Sequence, residues 1–124
     1  MKRLTLVAVL LLSSAIMTHA QKKESQLRHV VLFSFKETSS EKDIENVVHA
    51  FEALPSKIKQ IKSLEWGLNN SPEKLNEGLT HAFILTFSSE KDRDDYLVHP
   101  DHQTFGKLVG SHIGKVVVVD FWIN

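Results

Sequence analysis

The sequence predicts an α+β subunit in which four antiparallel strands form one sheet with the helices on a single face. Three observations predict it. Four short apolar runs, at 29–35, 64–68, 81–87 and 115–123, have the composition and alternation of strands. Two intervening segments open with helix-start residues and then repeat apolar side chains at helical spacing. The resulting order of strand, helix, strand, strand, helix, strand is the split βαβ or ferredoxin-like pattern.

The first strand reads HVVLFSF. His29, Val31, Phe33 and Phe35 share one face by the two-residue period, and Val30 and Leu32 point the other way. Both faces are apolar, which predicts cover on both sides. A helix follows, with Thr38 and Glu41 or Ser40 and Asp43 at capping-box spacing. Ile44, Val47, Val48, Phe51 and Leu54 form its apolar stripe, Pro55 is expected to interrupt it, and Ile58 and Ile61 extend an apolar face beyond. The alternating run Leu64-Glu65-Trp66-Gly67-Leu68 is the second strand, closed by the turn Asn69-Asn70-Ser71-Pro72, and 73–78 is a polar loop.

The third strand, HAFILTF, places His81, Phe83, Leu85 and Phe87 on one face and Ala82, Ile84 and Thr86 on the other. Ser89 begins another helix running to about His99, where Pro100 can open a second helical segment because proline is tolerated in a first turn. Phe105, Leu108 and Val109 are its apolar face, Gly110 and Gly114 bracket its exit, and KVVVVDFWI is the last strand. Helices on one face leave Val30, Leu32, Ala82 and Ile84 uncovered on the other, and an apolar sheet face of that kind is an interaction surface. Two such sheets packed face to face would make a homodimeric α/β barrel.

Residues 1–20 do not belong to this fold. A basic start, the uncharged apolar run at 4–16 and the small residues around Thr18-His19-Ala20 form a secretory signal pattern. The run falls short of the roughly 20 apolar residues a spanning helix needs. Cleavage after Ala20 is expected, with export to the periplasm or the medium and no stable membrane insertion afterwards. Residues 21–27 are then a flexible lead-in and 28–124 the domain. Loss of Lys2 and Arg3 leaves 13 basic against 15 acidic side chains, an unfavourable balance for nucleic acid. The absence of cysteine rules out disulfides and thiolate zinc sites, so a small exported domain must rely on its core and on self-association.

The chemistry-bearing stretch is Tyr96-Leu97-Val98-His99-Pro100-Asp101-His102. Tyrosine and histidine are side chains able to exchange protons, histidine near neutral pH. His29 and His81 each open an apolar strand, in phase with Val31, Phe33 and Phe83. Two readings stay open: an apolar small-molecule pocket with a few convergent polar groups, or a structural cluster whose members satisfy one another. His99 suits a cap at the helix break. A metal site built from His99, His102 and His29 or His81 is opposed by the proline between the first two. No phosphate loop or nucleophile elbow is present.

The opening strand HVVLFSFK, Thr80-His81 at the third strand and the run Tyr96-x-x-His99-Pro100-x-His102-x-x-Phe105 resemble the stress-responsive A/B barrel (Dabb) family. The resemblance covers about residues 28 to 122. It implies a dimeric α/β barrel of ferredoxin-like subunits. A plant polyketide cyclase of this family performs an aldol condensation with no cofactor, and Tyr96 and His102 match its acid/base pair. The resemblance further implies a pocket between sheet and helices, with His29 and His81 at the matching strand starts and Val47 and Phe51 as wall positions. The plant enzyme has no secretory leader, so its polyketide is not an expected substrate here.

Overall fold

A computed structural model describes residues 24–124. The expected leader, and the lead-in up to Lys23, lie outside the described residues. The elements are β1 (Leu27–Phe35), α1 (Glu41–Lys57), β2 (Ser63–Leu68), β3 (His81–Phe87), α2 (Glu90–Val98), α3 (Pro100–His112) and β4 (Ile113–Trp122). The four strands form one antiparallel sheet in the order β2-β3-β1-β4. The expected subunit architecture is therefore the observed one.

The helices sit where the local chemistry starts and stops them. Ser40 caps α1: its hydroxyl accepts from the Asp43 backbone N–H while the Asp43 carboxylate accepts from the Ser40 N–H, a reciprocal capping box. Pro55 does not interrupt α1, which runs on to Lys57. So close to the end, a proline removes one backbone donor without having a long helix to break. Ile58 and Ile61 lie beyond the helix yet are buried. Gly110 sits inside α3 and does not end it. Gly114 lies against the register shift between Ser34 and Phe35, where a Cβ would come within 3.2 Å of the Phe35 carbonyl oxygen.

The core occupies the helix face of the sheet. Leu27, Val31, Phe33, Phe83, Leu85 and Phe87 meet Val47, Val48, Phe51 and Leu54 of α1 and Tyr96, Phe105 and Val109 of the other helices. Phe51 is the hinge of this packing. It stacks on Phe83 at 4.2 Å between ring centroids and meets Phe105 edge-on at 4.7 Å. Trp66 lies over Phe83 from the edge strand β2, with its indole N–H donating to Glu52.

The opposite face is only half covered within one chain. The register places Val117, Val119 and Phe121 of β4 beside Leu32, Val30 and Arg28 of β1, so β4 enlarges the apolar surface that the first and third strands begin. Val119 and Phe121 are about half exposed, at 54% and 48%.

Candidate functional site

The site is built at the junction of α2 and α3. Ser89 caps α2 through the Asp92 N–H. Pro100 has no N–H to continue the helix, so the chain breaks at His99 and restarts as α3 with proline in its first turn. The break leaves backbone groups on both sides without helical partners, and the two histidines of the motif supply them. His99 Nδ1 accepts from the Asp101 N–H at 3.1 Å, capping α3. In an unbroken helix that N–H would bond to the Leu97 carbonyl; here the carbonyl instead meets His102 Nδ1 at 3.0 Å.

This bond sets the His102 tautomer. A carbonyl oxygen only accepts, so Nδ1 carries the hydrogen and Nε2 of the neutral ring keeps a free lone pair. Burial pushes the His102 pKa below its ordinary value of 6.5, against an upward pull from Leu97, and the nearby His29 and His99 push it further down. His102 is therefore neutral at pH 7. Its ring lies 4.3 Å from that of Tyr96. Tyr96 is 1% exposed, and burial pushes its phenol well above the usual value, so it stays protonated.

His29 enters from β1. The β1–β4 register sets it directly across from Asp120, and its Nδ1 lies 2.7 Å from Asp120 Oδ1. The other carboxylate oxygen of Asp120 accepts from Arg93 of α2 at 2.8 Å, and Arg93 Nε donates to Asp94 at 2.9 Å. Arg93 and Tyr96 are three residues apart and so present to the same face of α2. The His29 ring is 5.8 Å from Tyr96.

These groups border a cleft of about 540 Å³ between β1, β4, α2 and α3. One end is polar, with His29, Arg93, Asp94, Tyr96, His102 and Asp120. The rest is apolar, including Val31, Phe33, Phe51, Phe105, Val116 and Val118. Among the expected site residues, Tyr96, His102, His29, Val31, Phe33, Phe51 and Phe105 meet here. Val47 and Phe83 do not line this cleft; both are fully buried core residues.

His81 does not join them. It pairs across the ladder with Phe33, four residues along β1 from His29, which is about 13 Å at the rise of a strand. Strands that run antiparallel begin at opposite ends of the sheet, so two histidines that each open a strand are held apart. His81 bonds Thr80 at 2.8 Å, packs edge-on against Phe35 and stacks with Trp66, and burial lowers its pKa. Among the described residues, no group of three or more histidine, aspartate or glutamate side chains is placed to hold a metal ion.

Arg93 and Asp120 were missed by sequence reasoning. Asp120 did leave a signal: it is the one charge within VVVVDFW, in phase with Val116 and Val118.

The lowered pKa values of His102 and His81 have a consequence for stability. The unfolded chain takes up protons at these positions near pH 6.5, and the folded chain does so only at lower pH. Stability is therefore full above the unfolded value and declines as pH falls through about 6.5 toward the folded values. Urea midpoints measured from pH 8 to 5 are expected to drop over that window, with a smaller drop in His102→Gln.

The family model described as Stress responsive A/B Barrel Domain matches residues 27–123. The chain is 33% identical over 101 residues to the stress-response A/B barrel domain-containing protein HS1 of Arabidopsis thaliana, spanning 82% of this chain and 93% of that protein. It is 28% identical over 95 residues to the olivetolic acid cyclase of Cannabis sativa, spanning 77% and 94%. Among solved structures, the hydroxynitrile lyase of Passiflora edulis superposes with a TM-score of 0.77 at 28% identity, covering 82% of this chain and 95% of that one. A dimeric protein of unknown function and ferredoxin-like fold from Bacteroides fragilis superposes with a TM-score of 0.64 at 29% identity, covering 79% and 96%.

Proposed function

This chain belongs to the stress-responsive A/B barrel domain family, and from that premise we propose that it binds a small, largely apolar molecule in the cleft and moves a proton on it without a cofactor. His102 is the base and Tyr96 the hydrogen-bond donor. The observation that carries this reading is the state of His102: its Nδ1 is committed to the Leu97 carbonyl, leaving a neutral ring with Nε2 free beside a buried phenol. A base must be unprotonated at the working pH, and burial favours that for His102. The high phenol pKa makes Tyr96 a poor proton acceptor but suits it to donate to an oxygen on which negative charge develops. The similarity to an olivetolic acid cyclase and a hydroxynitrile lyase supports an enzymatic reading of the cleft.

The test is exchange of the α protons of 1-phenyl-2-propanone in D2O, followed by proton NMR. Enzyme-dependent exchange that rises with pH through a value below 6.5 is expected. Exchange at the rate of buffer alone, for this ketone and a panel of aliphatic and aromatic ketones, would refute the proton-transfer reading.

We further propose that the half-covered sheet face closes against a second copy, making a homodimer. The dimeric relative of known structure supports this, as does the apolar patch that includes Val30, Leu32, Ile84 and Val119. Val119→Glu places a charge on that surface, beside Val30. Light scattering is expected to show a dimer for the wild type and a monomer for the variant; a monomeric wild type at micromolar concentration would contradict the proposal. The apolar run at 4–16 supports export, and N-terminal sequencing of secreted protein is expected to start at Gln21.

A further inference from the structure

Arg93 has donors that neither the fold nor the proton transfer described above uses. Its Nε–H donates to Asp94 at 2.9 Å and an N–H of Nη1 donates to Asp120 at 2.8 Å. Nη2 keeps both its hydrogens, with no acceptor for them among the described residues. The side chain is only 21% exposed and borders the cleft together with Tyr96 and His102. Hydrogen bonds to Asp120 and Asp94 raise its pKa, so it stays charged at any working pH. They also fix its position. Asp94 follows it on α2, and Asp120 is anchored on β4 by His29 Nδ1, a contact the carboxylate accepts whether or not the ring carries a charge. Arg93 and Tyr96 stand about one helical turn apart on the same face of α2. The Tyr96 ring is 5.8 Å from that of His29, and His29 shares Asp120 with Arg93. The phenol and the guanidinium thus flank the same imidazole.

We propose that Arg93 is a second catalytic donor of this cleft: its Nη2 and the Tyr96 hydroxyl together hold the carbonyl oxygen of the substrate while His102 Nε2 removes a proton from the adjacent carbon. This rests on the proton-transfer reading above and adds to it a residue and a substrate requirement. In the step, the C–H bond breaks and its electron pair becomes the C=C bond of an enolate. The carbonyl π pair moves onto oxygen, and the proton sits on His102 until it, or a deuteron exchanged for it, returns to carbon. New charge therefore appears only on the oxygen and on the imidazole. A cation held in place beside a largely apolar cavity stabilises that oxygen more than the neutral carbonyl it came from, and does so without reorganising. The substrate is a ketone or aldehyde whose oxygen reaches both donors. A carbon acid that lacks such an oxygen meets the base but not the donors.

The test is α-proton exchange in D2O with 1-phenyl-2-propanone or, if that is inert, the most reactive ketone of the same panel. Turnover and KM are measured on the pH-independent plateau, where a shifted His102 titration does not enter. Arg93→Gln keeps an amide that can donate to Asp120 but has no second nitrogen for the substrate. Its kcat is expected to fall about 10²- to 10³-fold, the span for one lost oxyanion donor, with little change in KM or melting temperature. In Arg93→Ala, millimolar guanidinium chloride is expected to restore exchange in a saturable way, and ammonium chloride at the same concentration is not. Exchange at the full rate by Arg93→Gln overturns the assignment and leaves the proton-transfer reading standing. So does a rate that is lost only together with melting temperature and is not recovered by guanidinium, which marks Arg93 as a clamp on Asp120. No exchange by the wild type with any ketone of the panel overturns both.

Discussion

His102→Gln is expected to lower enzyme-dependent α-proton exchange by about 10²- to 10⁴-fold, the span general acid/base groups contribute, with little change in melting temperature. The two outcomes separate because His102 makes two kinds of contact. Its Nδ1 satisfies the Leu97 carbonyl, a structural role that a glutamine amide can take over by donating from its NH2 group. Its Nε2 has no substitute in glutamine, whose remaining oxygen is far too weak a base at neutral pH. A variant that loses stability and rate together would instead mark His102 as a helix-junction residue. A variant that keeps the rate would assign the proton to another group, and His29, the other cleft imidazole, is the first candidate.

Phe83→Ala is expected to cost about 3–5 kcal/mol of unfolding free energy, the range for truncating a buried aromatic. Phe83 has no exposed surface. It sits in the middle of β3 with Phe51 stacked at 4.2 Å, Phe33 at 5.6 Å and Trp66 at 5.7 Å. Alanine leaves a void lined by three rings that cannot all move inward, since Phe51 is also held by Phe105. Against a typical domain stability of about 5–15 kcal/mol, the loss would remove much of the margin. Urea unfolding reads it directly, and a change under about 1 kcal/mol would mean that the core closes over the gap.

Periodicity made much of the fold legible. The alternation in HAFILTF matches β3 from His81 to Phe87, because an apolar strand face and its phase are local properties. Of the two capping-box spacings in the sequence, Thr38–Glu41 and Ser40–Asp43, the second is the one that starts α1. The site was legible only where its residues lie close in sequence. Tyr96, His99 and His102 share one helix break, and a proline announces such a break without a partner. His81 was expected beside His29 because both open apolar strands, yet the direction of strand pairing is a property of the assembled sheet and sets them at opposite ends. The link from His29 to Asp120 to Arg93 depends on the β1–β4 register and on the seating of α2, neither of which is written in any short segment. The burial that holds the Tyr96 phenol protonated and lowers the His102 pKa is likewise a property of the assembled fold.

The protonation state of His102 can be read with no ligand at all. Long-range ¹H–¹⁵N correlation spectra of the imidazole, recorded from pH 8 to 5, report tautomer and pKa together. The hydrogen is expected on Nδ1, with the ring neutral at pH 7 and titrating below 6.5. A hydrogen on Nε2, or a ring still charged at pH 7, would contradict the assignment of His102 as the base of this cleft.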